Sequence, residues 1–224
     1  YLDDVLTDIK FSNVAWNDDK GVFYKKNSNK EFFAKDSTYQ LYYHKIGDIQ
    51  SKDQLVFDTS NTKSNFSFFT KQNKLFIVET SEDETTKNYY YSTIENESFQ
   101  FKNFIKDDKS NLELLNIIND KFYFSDEKYS WGNISYFDIN NRTENTILIP
   151  QVYSHLLVGA TFLENYIICK YDNMGKYYMS IHDYTGKFIR KFEAPHNMDF
   201  QIRFYDEKTN ELFVTFYSYT ISSL

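Results

Sequence analysis

Cysteine is almost missing from this sequence of 224 residues, where Cys169 stands alone. A lone thiol excludes an internal disulfide and suits a reducing, cytoplasmic compartment. Its place in the run Tyr166–Tyr171, YIICKY, reads as a small apolar residue of a buried strand rather than as a nucleophile. Proline occurs only as Pro150 and Pro195. Glycine numbers 6, and the sequence holds neither a Gly-rich phosphate loop nor the G-x-S-x-G nucleophile elbow. The longest apolar run, Leu156 to Leu163, is far below the ~20 residues that cross a bilayer, so no membrane partner is expected. With Lys+Arg 25 against Asp+Glu 32, net charge -7 and no basic cluster, the electrostatic footprint of a nucleic-acid binder is absent too. A chain that starts at Tyr1 without Met is expected to be trimmed or cut from a longer one, and no secretory leader is expected of it.

Side chains that could carry chemistry are few and dispersed. His44, His155, His182 and His196 show neither i, i+4 pairing nor a cysteine partner suited to zinc, so no metal site and no cofactor are expected. No Ser, His and Asp take triad roles, because the strained strand-to-helix turn that presents such a serine is missing. The acid-rich stretch Ser81 to Thr86 reads as a solvated turn without calcium-ligand spacing. Four N-x-S/T matches, at Asn65, Asn96, Asn133 and Asn141, are expected by chance in a chain this rich in asparagine.

What the chain does have is aromatics: 20% of its residues, with Tyr 20 and Phe 22. Such side chains suit pleated, half-buried strands, although a nucleotide bias in the source genome accounts for the same excess equally well. Strand patterning is independent of that ambiguity. In Asp8 to Asp58 the runs FSNVAW, GVFYKK, QLYYHKI and QLVFD are separated by polar turns. Gly21, closing the cluster Asn17 to Gly21, is expected to supply a positive φ to the first turn. Four antiparallel strands of this length make one β-propeller blade, and blades come in repeats.

The repeat is present. First-hairpin turns fall near Asp18, Gln72, Asn119, Asn165 and Thr209, a period of 44 to 54 residues. Blades are expected over 8–58, 65–102, 111–150, 155–194 and, incomplete, 198–224. The fourth strand of the second blade is placed at Phe99 to Phe101. Asn119-Asp120 and Asn140 to Arg142 are expected to turn the hairpins of the third unit with residues that tolerate left-handed backbone. Pro150 and Pro195 fall between units, where the missing N–H costs no ladder bond. The fold class is therefore all-β, a β-propeller of about four and a half blades, with open blade edges that favour self-association.

Several ordered blocks also carry a family likeness. Leu2 to Leu6 running into Lys10-Phe11-Ser12, then Ala15-Trp16 and Asp19 to Tyr24, resemble the propeller of prolyl oligopeptidases. Leu41 to Gly47 and Gln50 to Val56 resemble the next segments of that family, in the same order. The resemblance implies a parent serine peptidase that cleaves short proline-containing peptides after proline. Its seven-bladed propeller would pack on an α/β-hydrolase domain and gate access to it. The nucleophile, base and acid would belong to that domain, so no catalytic residue is assigned here, and the 224 residues alone are expected to be inert.

Two positions acquire a substrate-binding expectation from the resemblance. Phe23, the aromatic of the GVFY block, would line an apolar subsite for a peptide residue upstream of the proline; the other reading is a strand residue buried between blades. A basic contact before the third strand of the next blade falls at Lys87-Asn88-Tyr89, where Asn88 forfeits the charge unless Lys87 replaces it. His44, inside the LYYHKIG block, reads as structural. A second class of function stays open, a free-standing propeller that binds peptides or proteins without cleaving them, because fold alone does not decide function.

Overall fold

The computed structural model describes residues 4–7, 9, 12–27, 39–62, 64–95, 97–110, 112–142, 144–195, 198–206, 208–209 and 211–218. Apart from one 3-10 turn, Gln50–Lys52, the regular structure of these residues is all strand. The chain divides into two compact units, Tyr1–Lys109 and Ser110–Leu224.

The first unit holds two four-stranded meanders. One is β1 (Val14–Asn17), β2 (Gly21–Asn27), β3 (Tyr39–Lys45) and β4 (Gln54–Asp58); the other is β5 (Asn65–Lys71), β6 (Lys74–Thr80), β7 (Lys87–Thr93) and β8 (Lys102–Asp108). Neighbouring strands are antiparallel throughout. The first strands of both sheets alternate exposed and buried residues at their start, as in Val14-Ala15-Trp16-Asn17. The second strands, flanked on both edges, bury consecutive residues, Gly21 to Tyr24 and Leu75 to Ile77, as strands covered on both faces do. Ala15, Phe23, Leu41, Tyr43, Phe66 and Ile77 belong to one core cluster of this unit.

The positive φ expected of Gly21 belongs to Asp18, at 47°. Gly21 is needed for a different reason. A Cβ there would run into the His44 carbonyl oxygen and the Tyr43 ring, so the glycine lets β2 and β3 approach. Expectation and structure also part at Phe99 to Phe101, because the fourth strand starts at Lys102 and runs to Asp108. The Phe-Gln-Phe alternation mimics a strand. Both rings instead turn inward, Phe99 against Phe23 at 5.4 Å and Phe101 against Phe57 at 5.5 Å between centres. The true strand, KNFIKDD, has adjacent apolar residues and no period of two to announce it.

The second unit holds β9 (Glu113–Ile118), β10 (Lys121–Ser125), β11 (Ile134–Asp138) and β12 (Thr146–Ile149) in one sheet, then β13 (Leu156–Phe162), β14 (Ile167–Asn173), β15 (Lys176–His182) and β16 (Phe188–Glu193) in another. A hairpin follows, β17 (Asp199–Asp206) with β18 (Glu211–Tyr217). Asn119 and Asp120 are left-handed as expected, at φ 48° and 61°. The turn at Asn140 to Arg142 is not; there the Asp138 carboxylate accepts the Asn140 N–H. Pro150 follows β12, and Pro195 follows β16. The core here includes Tyr123, Ile134, Ile167, Cys169 and Tyr171, with Tyr171 stacked on Tyr178.

Candidate functional site

Phe23 lies third in β2 with no exposed surface. Its ring centre is 4.9 Å from that of Tyr43, a cross-strand partner on β3, and 5.4 Å from that of Phe99. Tyr43 is fixed in turn, its hydroxyl accepting a hydrogen bond from Asn17 Nδ2 at 3.1 Å. A peptide would reach Phe23 only if its aromatic neighbours moved aside. Asn88 is the second residue of β7, where its Oδ1 accepts the Asp107 N–H at 2.9 Å and its register partner is Glu79. Glu79 is buried and accepts three hydroxyls, from Ser64 at 2.5 Å, Tyr90 at 2.8 Å and Thr62 at 3.2 Å. Burial raises the Tyr90 pKa, and the Glu79 carboxylate adds to the shift. Phe23 stands near the β1–β2 turn, whereas Asn88 stands at the opposite end of the equivalent strand pairs, next to the β6–β7 connection. The structure therefore does not bring the two expected residues together through one strand end.

A polar cluster that spacing did not reveal sits beside Phe23. His44 Nδ1 is 2.7 Å from Asp53 Oδ1, and Asp53 Oδ2 accepts the Tyr24 hydroxyl at 2.7 Å. Burial raises the Tyr24 pKa. His44 Nε2 is buried without a hydrogen-bond partner, 3.9 Å from Asp4 Oδ2. Gln50 ties the same corner to Thr7, donating from Nε2 to the Thr7 carbonyl and accepting the Thr7 N–H at Oε1. This web joins residues 4–7 to the β3–β4 connection, in keeping with a structural His44.

The second unit contains a hydroxyl–imidazole pair that the sequence also hid. Ser180 Oγ lies 2.5 Å from His182 Nε2, while Nδ1 faces the Gly186 carbonyl at 3.2 Å. The carbonyl requires the proton on Nδ1, so Nε2 accepts from the serine. Ser180 is 6% exposed and His182 9%, mid-sheet and at a strand end respectively. Burial lowers the His182 pKa. Buried among β15 and its turn, the pair ties the end of β15 to the Gly186 carbonyl. Burial likewise pushes the Cys169 thiol up to about 12, which makes it an inert core residue at neutral pH. Among the described residues no group of three or more His, Cys, Asp or Glu side chains could hold a metal ion, and no helix is long and apolar enough to cross a membrane. His196 lies outside the described residues.

Two lysines were missed as well. Lys25 on β2 and Lys170 on β14 each reach the first strand of the following sheet in their own unit, at Asn65-Phe66 and Asp199-Phe200. The legible signal was a lysine following the apolar heart of a second strand, GVFYK and IICK, with a polar residue before Phe one blade on.

Four-stranded antiparallel meanders repeated along the chain, with polar contacts linking one second strand to the next first strand, define a β-propeller assembly. A family model described as the prolyl oligopeptidase N-terminal beta-propeller domain matches residues 1–221, and the chain belongs to that family. A prolyl endopeptidase of Elizabethkingia meningoseptica is 24% identical over 206 residues, covering 87% of this chain and 28% of its own length. The chain thus spans less than a third of the curated relatives it matches. Among solved structures, prolyl oligopeptidase B from Galerina marginata, bound to a 35-mer hydrolysis and macrocyclization substrate, superposes with TM-score 0.75 at 16% identity, over 96% of this chain and 31% of that one. Oligopeptidase B from Trypanosoma brucei gives TM-score 0.69 at 13% identity, over 95% and 32%. At these identities the structural likeness speaks for the fold.

Proposed function

We propose that this chain is the propeller portion of a cytoplasmic, serine-type prolyl oligopeptidase that cleaves short peptides after proline. In this reading the propeller restricts access to an α/β-hydrolase domain packed on it, and the 224 residues alone do not hydrolyse peptides. The observation that carries the proposal is the family match across 1–221, joined to relatives named prolyl endopeptidases. Exclusion of bulky substrates by a narrow opening is a steric form of specificity, consistent with a chain that has no strong charge segregation.

Phe23 and Asn88 belong to the proposal in different ways. Phe23, buried under Tyr43 and Phe99, would shape a subsite from behind. Asn88 has its Oδ1 engaged, so it would offer a substrate its NH2 group, with Lys87 beside it supplying the charge. Self-association has its candidates at the fourth strands β4 and β12, each of which pairs on one edge only among the described residues. β4 and β12 carry no Lys, Arg or Pro, the residues that blunt natural edges, whereas β8 and β16 carry Lys102, Lys106, Arg190 and Lys191.

The experiment is hydrolysis of a fluorogenic proline-containing peptide by this chain and by the product of the uncut gene. Activity confined to the longer protein supports a gating domain. Activity in the 224-residue chain overturns the placement of catalysis elsewhere, and inactivity in both favours a binding module.

A further inference from the structure

The same lysine clamp is built twice, with one difference of charge. In the second unit Lys170 Nζ donates to the Phe200 carbonyl at 2.9 Å and to Asp199 Oδ1 at 2.5 Å, and lies 5.0 Å from the ring centres of both Tyr177 and Phe200. Asp199 Oδ1 also accepts the Phe200 N–H at 2.6 Å. In the first unit Lys25 Nζ donates to the Phe66 carbonyl and to Asn65 Oδ1, both at 3.1 Å, and lies 4.2 Å from the Tyr39 ring centre and 5.2 Å from that of Phe66. Asn65 Oδ1 accepts the Phe66 N–H at 2.8 Å. Carbonyl, ring and polar cap therefore recur, but a carboxylate stands against Lys170 and a carboxamide against Lys25.

Among the described residues that substitution leaves the first clamp without an anion. Among the described residues no carboxylate lies within ion-pair distance of Lys25. Burial lowers its pKa, the response of an ammonium withdrawn from water without a counter-charge. A half-buried cation with only neutral partners is an uncompensated cost, and a charge-assisted hydrogen bond is the interaction that offsets it. An open cavity of about 260 Å³ adjoins Lys25, and its walls include Asn13, Asn65, Ser67 and Thr80. A lining that includes amide and hydroxyl side chains together with an ammonium suits a carboxylate, whose oxygens accept several donors at once.

We propose that the cavity beside Lys25 binds a peptide carboxylate, taking from a ligand the negative charge that Asp199 supplies internally in the second unit. The proposal does not depend on peptidase activity, so it is tested by binding. Three acetylated tripeptides, Ac-Ala-Ala-Asp-NH2, Ac-Ala-Ala-Ala-OH and neutral Ac-Ala-Ala-Ala-NH2, are titrated into the isotope-labelled 224-residue chain while the amide resonances of Lys25, Phe66 and Ser67 are followed. The carboxylate peptides are expected to shift these resonances and the neutral one to leave them in place. Which of the first two acts identifies an acidic side chain or a free C-terminus as the source. Asn65→Asp, which builds the counter-charge in, should raise Tm and weaken the response at least about tenfold. Asp199→Asn should create a new response at Lys170 and Phe200. Should Asn65→Asp not fold, Lys25→Gln must abolish the response instead. No shift up to about 10 mM peptide, equal shifts from the neutral peptide, or a response unaltered by either first-unit variant overturns the proposal.

Discussion

The junction between the two sheets of the first unit and the junction between β13–β16 and the β17–β18 hairpin of the second are closed by different means. In the first, Phe99, Phe101 and Tyr90 come from the outer part of the second sheet and pack onto Phe23, Tyr43 and Phe57, leaving Phe23 without exposure. In the second, the described residues place β17 and β18 against β15–β16 with a groove of about 600 Å³ between them. Ile168, Met179 and Phe200 form its small core, while Ile189 and Phe192 stay 46% and 40% exposed at the groove. First and second strands bring the two sheets together; Tyr90 on the third strand, with Phe99 and Phe101 in the connection from the third strand to the fourth, seals them in the first unit. What the open junction has in place of an aromatic seal is the Lys170–Asp199 pair and the Tyr217 hydroxyl on Asp199 Oδ2 at 2.8 Å.

The contrast is broken most severely at its sealed end. Phe23→Ala removes a fully buried ring and should cost about 3–5 kcal/mol, read as a lower midpoint in urea denaturation. A loss below about 1 kcal/mol would mean that the packing around Phe23 collapses at little cost and that the residue is free to serve a ligand. In that case its effect should appear in KM of the longer protein.

At the open end the expected effects are smaller and pH-dependent. Burial works to raise the Asp199 pKa, but hydrogen bonds from Lys170, Tyr217 and the Phe200 N–H outweigh it and hold the carboxyl below its ordinary value. A depressed folded-state value means stability that is present above the unfolded-state pKa and lost as pH falls through the folded one. Asp199→Asn should therefore cost about 1 kcal/mol at neutral pH, the pair being about a quarter exposed, and converge on the wild type in acid. Denaturation midpoints of both proteins across an acidic pH series check this, and a difference that grows on acidification would contradict the pairing.

The smallest change in stability sharpens the comparison by its second readout. Ile189→Ser, at an exposed position of the groove, should alter stability by no more than about 0.5 kcal/mol. If the groove and the open fourth-strand edges draw copies together, the same variant lowers the apparent mass in size-exclusion chromatography with light scattering. A wild type that runs as a clean monomer would remove self-association from the account.

Much of the meander was legible because strand signals are local. GVFY, LYYH, KLFIV and KFYF announce central strands by dense apolar and β-favouring residues, and Asn119-Asp120 announces a tight turn by its tolerance of left-handed backbone. Local signals failed where a residue's partner lies far along the chain. Phe99 and Phe101 mimic a strand but serve as wedges, and Gly21 is a glycine because of Tyr43 and His44 rather than its own φ. Ser180 and His182 are only two positions apart, yet nothing in that spacing marks a buried hydroxyl–imidazole bond instead of two surface side chains. Asn88 is expected just before a third strand starting at Tyr89 but lies second within β7, and its hydrogen bond to Asp107 depends on a strand whose course the pattern misplaced.

By itself the sequence determined most of the strands, their antiparallel succession, the repeat and the absence of a nucleophile elbow, because hydrophobic period, turn chemistry and motif spacing are written along the chain. Tertiary structure alone decided that Phe23 is buried, that two lysines each grip the next first strand, and that one of them has no carboxylate partner among the described residues. Those outcomes depend on residues some 30 to 76 positions apart meeting across sheets, and burial, pairing and net local charge are properties of that meeting rather than of any segment.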